Sequence, residues 1–263
     1  MIEEILSLQN PKVKNWRALQ KSRQSRMESG LYPTEGEHMA QEALKEGACA
    51  QLLISADAWD KYAYLADDAT NRGITVYKVG AKVMESLSDT KTPQGVMAIC
   101  RLPDLNAPIG ALSVALNAVQ DPGNVGTILR TMDAAGFDTL IIDDKTADPF
   151  SQKAMRASMG AVFRIRIRKV SDLAGEMTAL VEKGCAVVAG DLLGENFFER
   201  APFPANVCLI IGNEGQGISP DVKKAATRRL KLPMVGGAES LNAAVAGSIM
   251  IYDVLREKSV GNH

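Results

Sequence analysis

The sequence is short of the residues that hold metals. It has two histidines, His38 and His263, and four cysteines, Cys49, Cys100, Cys185 and Cys208, with no C-x-x-C pair among them. A zinc centre, or any metal site, is not expected from such a set. Three of the cysteines sit inside apolar runs (AIC, CAVV, VCLII), where cysteine behaves as a small buried hydrophobe. That usage fits a reducing, cytoplasmic setting. Long apolar runs are missing as well. LNAAVAGSIMIY near the C-terminus is well short of a membrane span, and the acidic opening MIEEILSLQNPK lacks the apolar core of a signal peptide. No G-x-G-x-x-G follows a strand and there is no G-x-x-x-x-G-K-[ST], so the dinucleotide and P-loop fingerprints are absent. Aromatic residues make up 5% of the chain, and Trp16, Tyr32, Trp59, Tyr62, Tyr64 and Tyr77 form no ladder for stacking bases. Nor is there an excess of one charge: 30 Lys and Arg against 31 Asp and Glu leave −1, so any nucleic-acid role must rest on local patches.

Two such patches are present. Residues 12–26 carry Lys12, Lys14, Arg17, Lys21, Arg23 and Arg26 with no acid, and residues 151–170 carry Lys153, Arg156, Arg164, Arg166, Arg168 and Lys169, also with no acid. Either patch could equally be a solvated face. On the alternating run VFRIRI, read as a strand over 162–168, Arg164, Arg166 and Arg168 share one side.

A length of 263 residues suggests two domains. Residues 1–30 read as a basic, mostly helical entry; EHMAQEALKEG is a helix ending at Gly47; QLLIS, ITVYKV and GVMAIC read as strands, with a helix over 58–73. RLPDLNAPIGAL holds two prolines and a glycine, and the linker is placed at 106–112, between a first domain at 1–105 and a second at 113–263. The second half alternates strongly: SVALNAV, TLIID, CAVVAGD, NVCLIIG and RRLKLP as strands, separated by helices at 126–136, 150–159 and 171–184, the last with Ser171 as candidate N-cap, and closed by a long helix over 240–257. Such alternation predicts an α/β fold with a mostly parallel sheet and helices on both faces.

In parallel sheets ligands bind beyond the carboxyl ends of the strands. Three glycine-rich stretches follow strands here: DPGNVG (121–126), GNEGQGIS (212–219) and PMVGGAESLN (233–242). Glycine lets backbone N–H groups approach a ligand closely. In full, NAVQDPGNVGTILRTMDAAGF, LIIGNEGQGI and LKLPMVGGAESLNAAVA resemble, in order, the three signature motifs of the SpoU family of RNA ribose 2′-O-methyltransferases, of the knotted SPOUT class. NPKVKNWRALQKSRQSR followed by YPTEGEHMAQEALKEG resembles the small substrate-binding domain of ribosomal RNA members.

The resemblance implies a deep trefoil knot, a homodimer whose site uses both subunits, and S-adenosylmethionine as methyl donor, with S-adenosylhomocysteine as product and no metal. It implies catalytic roles for Asn124, Arg130, Glu214, Ser240 and Asn242, and cofactor contacts at Gly190, Ile211, Gly212, Leu232, Met234 and Leu241. Each has an ordinary alternative. Arg130 could be an exposed helical arginine, Asn124 and Ser240 helix caps, Glu214 a turn acid, and Leu232 and Leu241 core. Arginine is a poor general base, so the reading preferred here has Arg130 bind the target phosphate or stabilise the developing alkoxide; a perturbed, deprotonated Arg130 acting as base is the alternative. Lys153, Arg156, Arg164, Arg166, Arg168, Arg23 and Arg26 are candidate RNA contacts, which would position RNA without reading its sequence. Ribosomal RNA is the expected substrate; a transfer RNA enzyme and a catalytically silent RNA-binding protein are the alternatives.

Overall fold

The computed structural model describes residues 1–90 and 92–260; His263 lies outside them. In chain order the elements are β1 (Ile2–Ile5), α1 (Pro11–Lys21), α2 (Arg23–Ser29), β2 (Leu31–Glu35), α3 (Glu37–Lys45), β3 (Cys49–Ser55), α4 (Ala63–Asn71), β4 (Thr75–Val79), α5 (Ala81–Leu87) and β5 (Val96–Arg101). Then follow β6 (Leu112–Asn117), α6 (Pro122–Ala134), β7 (Thr139–Ile142), α7 (Gln152–Ser158), β8 (Arg166–Lys169), α8 (Leu173–Glu182), β9 (Ala186–Asn196), β10 (Val207–Gly212), α9 (Pro220–Ala225), β11 (Arg228–Lys231) and α10 (Ala243–Val260). The chain forms two compact units: Met1–Pro103 with Phe150–Phe163, and Asp104–Pro149 with Arg164–His263.

The first unit is built on a five-stranded mixed sheet in the order β1-β4-β3-β5-β2. α1 starts where Asn10 accepts a hydrogen bond from Lys12 N (2.9 Å) and Pro11 takes a position that needs no donor. Its apolar face, Val13, Trp16 and Leu19, packs with Val83, Met84 and Leu87 of α5 onto Leu53, Tyr77, Met97 and Ile99 of the sheet. The basic entry is not a uniformly solvated face. Arg26 is 6% exposed and donates to Leu19 O at 2.6 Å, so it ties α2 to the end of α1 and is not placed to meet RNA. α7 belongs to this unit although sequence order puts it in the later half: Gln152 donates to Pro33 O (2.8 Å), and Phe150 lies against Tyr32 with centroids 4.7 Å apart.

The second unit holds a six-stranded sheet, β11-β9-β10-β6-β7-β8, in which every pair is parallel. Its central strands, β6 and β10, are apolar almost throughout and buried, as parallel strands covered on both faces must be. All strands run the same way, so the three glycine-rich stretches leave the sheet at one edge.

The structure corrects several local expectations. VFRIRI is not one strand: Ala161–Phe163 is a 3-10 turn and only Arg166–Lys169 is extended. Phe163 stacks on Tyr32 in the first unit (6.5 Å), whereas Arg166 pairs with Thr139 in the second, so the run is divided between two cores. The three arginines therefore do not line one face of one strand. α8 is capped by Asp172, which accepts from Gly175 N at 2.9 Å, instead of Ser171; its carboxylate also suits the positive end of the helix. β9 runs beyond the expected CAVVAGD to Asn196. Its register on β11 jumps from Arg229↔Ala189 to Leu230↔Glu195, leaving 190–194 as a bulge.

Candidate active site

The site forms where the ends of β6 and β10 meet the start of α10. α6 begins at Asp121, whose side chain accepts from Gly123 N (2.6 Å), and this frees Asn124 from the capping role open to it in sequence. Asn124 is 9% exposed and donates through Nδ2 to Glu214 Oε1 at 2.9 Å; its Oδ1 accepts from Asn242 Nδ2 at 3.0 Å. One side chain from each of the three glycine-rich stretches thus joins a single hydrogen-bonded chain. Glu214 also accepts from Gln120 N and Asp121 N, both at 3.2 Å. Burial pushes its carboxyl up, but the hydrogen bonds from Asn124 and from the backbone of Glu214, Gln120 and Asp121 outweigh this and hold it below its ordinary value. Glu214 is thus a fixed carboxylate that grips the first motif; it does not pair with Arg130.

The loop carrying Glu214 is shaped by Gly212 and Asn213. A Cβ at Gly212 would lie 2.4 Å from Gly217 C and Ile218 N, so no other residue fits there. Asn213 and Gly217 exchange backbone hydrogen bonds at 3.0 and 2.9 Å, and Asn213 Oδ1 accepts from Gly215 N and Gln216 N. Asn213 Nδ2 donates to Ala118 O (2.8 Å), and Ala118 holds a φ of 59°, in the left-handed region a non-glycine residue enters only when its surroundings compel it.

What compels it is a buried carboxylate that sequence reading did not single out. Asp143, 8% exposed at the end of β7, accepts from Ala118 N (3.0 Å), Asn117 Nδ2 (2.9 Å), Thr146 N (2.8 Å) and Thr146 Oγ1 (2.7 Å). Asn117 in turn accepts from Ser219 N at 2.7 Å. β6, β7 and the loop after β10 are thereby fixed to one another. A cleft of about 810 Å³ opens beside this buttress, lined by Asn117, Gln120, Asp143, Asn213, Gln216 and Ser219 among others. None of the residues carried over as cofactor contacts lines it, so the cleft and the expected cofactor site are different places.

Arg130 is exposed on α6. It lies six residues beyond Asn124, which at about 100° per residue sets it roughly 120° round the helix. Thr131, on the face nearer Asn124, meets Ser248 of α10 at 2.9 Å. Among the described residues none hydrogen-bonds or forms an ion pair with the Arg130 guanidinium. Ser240 is exposed in the stretch before α10, and Asn242 does the capping instead, accepting from Ala244 N (2.9 Å) and Val245 N (3.2 Å).

Residues 232–241 lie outside helix and strand, and all are exposed except Leu232, Met234 and Leu241, which are half-buried. All three are among the six that the resemblance assigns to the cofactor, and apolar side chains beside main-chain N–H and C=O groups suit an adenine and its edge. Ile211 is 5% exposed, next to Gly212 at the end of β10, and Gly190 begins the bulge of β9 facing Ile210 O and Met250 Sδ, each 3.4 Å from where a Cβ would be. The residues present fit such a ligand. Among the described residues no group of three or more His, Cys, Asp or Glu could hold a metal ion, and no helix is long and apolar enough to cross a membrane.

The acid-free stretch 151–170 finds its acids elsewhere in the fold. Arg164 pairs with Asp133 (2.8 Å), Arg166 with Asp138 (3.0 Å), Arg168 with Glu176 (3.2 Å), and Arg156 with Asp89 (3.0 Å). Arg23 is half-buried and Lys153 exposed, and each makes an interaction of its own.

A model of the SpoU rRNA Methylase family matches residues 111–252, and one of the MRM3-like substrate binding domain matches residues 10–98. The 23S rRNA (guanosine(2553)-2′-O)-methyltransferase of Bacillus subtilis (strain 168) is 33% identical over 95% of this chain and 98% of its own. The crystal structure of an AdoMet-bound rRNA methyltransferase from Sinorhizobium meliloti is 32% identical, superposes with a TM-score of 0.85, and covers 97% of this chain and 98% of that one. A TrmH/SpoU tRNA modifying enzyme from A. aeolicus, 28% identical with a TM-score of 0.52, covers 57% of this chain and 76% of its own. The chain belongs to the SpoU rRNA methylase family.

Proposed function

We propose that this protein transfers a methyl group from S-adenosylmethionine to a ribose 2′-hydroxyl of RNA, with ribosomal RNA as substrate. The observation that carries the reading is the hydrogen-bonded chain Asn242–Asn124–Glu214, which draws all three family motifs to one point. Bound S-adenosylmethionine supplies an activated methyl group and departs as S-adenosylhomocysteine. Leu232, Met234 and Leu241, with the backbone at Ile211, Gly212 and Gly190, hold it and exclude water from the transfer. Asn124 and Asn242, fixed by their mutual bond, orient the ribose. Ser240, exposed beside them, hydrogen-bonds the incoming nucleotide. A guanidinium does not give up its proton near neutrality, so Arg130 acts by binding the target phosphate and stabilising the alkoxide as it develops, the hydroxyl proton being released to solvent as the O–CH3 bond forms and the S–CH3 bond breaks.

Arg130 points away from the cluster of its own chain, so it serves the site of a second copy, and the enzyme works as a homodimer. The exposed apolar residues Val245 (47%) and Tyr252 (50%), two helical turns apart on α10, fit a partner's surface. The trefoil knot is part of this proposal. The chain runs out to β11 at the sheet edge and then returns as α10 to pack on α6 and β10, a path that a threaded C-terminal segment would take. Ribosomal rather than transfer RNA is favoured because residues 10–98 match a substrate-binding domain ahead of the methylase region, whereas the tRNA-modifying relative covers 57% of this chain.

The test is incubation with labelled S-adenosylmethionine and separate pools of unmodified ribosomal and transfer RNA, followed by mapping of alkali-resistant linkages. Label in a 2′-O-methyl linkage of ribosomal RNA is the expected result, and label in base positions or in neither pool refutes the reading. Arg130→Ala should lose transfer while binding the cofactor as before. Mixing it with a variant dead at Asn124 should restore part of the activity if sites are shared between copies.

A further inference from the structure

We propose that a small cavity in the first unit binds an unpaired RNA nucleotide whose base carries an amino group. The proposal rests on RNA being the substrate and concerns a place in the first unit, outside the three methylase motifs. The cavity, of about 290 Å³, lies between α1, the end of α5 and α7. α1 contributes Arg17, Gln20 and Lys21, and α7 contributes Gln152 and Lys153.

Two of its walls carry buried acceptors that have no hydrogen-bond partner among the described residues. Gln152 is 8% exposed; its Nε2 donates to Pro33 O at 2.8 Å, which fixes the amide orientation, and its Oε1 has no partner. Gln20 repeats the arrangement from the opposite helix: Nε2 donates to Leu87 O (2.7 Å) and Met97 Sδ (3.4 Å), and Oε1 is without a partner. A buried acceptor left unpaired is costly and is seldom kept without cause. Two at one cavity call for a ligand that donates. Each oxygen is shut off from water, so a donor reaches it only as the cavity wall moves.

The same side chains set the class of ligand. Three cations at the cavity suit a phosphate, while the carboxylate of Asp89 in the wall, held by Arg156 at 3.0 Å, adds a third acceptor. A phosphate ion alone would be repelled by those acceptors, and a neutral amine would leave the cations unused. A nucleotide with an exocyclic amino group uses both. Adenine, cytosine and guanine carry that group; uracil sets a carbonyl oxygen on each side of its one N–H and meets acceptors with acceptors.

The experiment uses the full-length protein and fluorescein-labelled oligoribonucleotides of A, C or U, of equal length, followed by anisotropy across a salt series. Oligo(A) and oligo(C) should bind about threefold to tenfold tighter than oligo(U), the worth of one hydrogen bond gained. Gln20→Met combined with Gln152→Met should abolish the preference and leave the salt slope intact. Lys21→Glu combined with Lys153→Glu should weaken all three probes alike and flatten the slope. Equal binding of the three probes by the wild type, or a preference that survives the double Met variant, overturns the proposal. Should the double Met variant not fold, ultraviolet cross-linking of oligo(C) to the wild type decides. Cross-links within 11–21 or 152–158 support the pocket, and cross-links only elsewhere refute it. Methyl transfer to ribosomal RNA is assayed in parallel. Transfer without base preference removes the pocket and leaves the enzyme, and base preference without transfer removes the enzyme and leaves the pocket.

Discussion

Asp143 offers a sharp test of how the active site is held. Its carboxylate accepts four hydrogen bonds from Asn117, Ala118 and Thr146, of which Thr146 is 1% exposed and Asn117 7%. Asp143→Ala leaves these donors without an acceptor and releases Ala118 from its left-handed conformation. At about 1–3 kcal/mol for a buried group left unpaired, with part recovered by water at the cleft, the expected loss is about 3–5 kcal/mol. For a unit of roughly 150 residues this lowers Tm by about 6–20 °C. Asp143→Asn keeps the shape and one acceptor oxygen, and should cost about half as much. The neighbour Asp144 is the control: its side chain is 59% exposed and pairs with Lys169 at 2.7 Å, so Asp144→Ala should change stability by less than about 1 kcal/mol. Asp143 also fixes Asn117, and through it Ser219 N, on the loop that carries Glu214. The folded fraction of Asp143→Asn should therefore show kcat reduced by up to about a hundredfold, the penalty for misplaced groups. Urea unfolding and single-turnover transfer measure the two effects. An Asp143→Ala protein as stable as the Asp144→Ala control, or fully active Asp143→Asn, would show that the buttress does not hold the site.

Gly212→Ala should destabilise the second unit by about 1–3 kcal/mol and abolish transfer, because the new methyl would strike the backbone at Gly217 and Ile218; a stable, active variant contradicts this. The Glu214 carboxyl, held low by Asn124 and backbone N–H groups, should titrate below the usual glutamate value of about 4.3 when followed by carbon NMR. Because the folded pKa is depressed, its contribution to stability is present above the unfolded value and fades as pH falls through the folded one; Asn124→Ala should raise the titration midpoint, and no change would remove that bond as the cause. Arg164→Ala with Arg166→Ala should lower the salt dependence of RNA binding by less than about one ion per arginine, since Asp133 and Asp138 already neutralise them. A drop of two whole ions would mean that both pairs open on RNA.

The parallel sheet of the second unit was legible because its strands are short apolar runs separated by helices of ordinary length. The edge strand β2 was not, since Pro33 interrupts YPTE; the proline is tolerated because β2 ends the sheet and has a partner on one side only. α5 and α9, of 7 and 6 residues, are too short for helical periodicity to show. Within the site, Asn124, Glu214 and Asn242 could be named through the resemblance their motifs carry, but not their mutual bonds. Asp143 carries no local signal at all: a single acid after TLII reads as a strand end. Charge was the least legible property. The stretch 151–170 looks purely basic because sequence proximity hides Asp89, Asp133, Asp138 and Glu176, which the fold brings to it.

The placement of Phe150–Phe163 has a practical consequence for anyone wishing to separate recognition from chemistry. That segment completes the first unit, yet its flanks on both sides belong to the second. No single cut in the polypeptide yields two whole pieces. A fragment stopping at Pro103 would lack the aromatic rings that cover Tyr32 and the amide that meets Pro33 O, and its complement would carry a helix whose apolar face has lost its partner. Truncation is thus a poor probe of either half; co-expression with the missing peptide, or grafting it after residue 103, is the arrangement the connectivity demands.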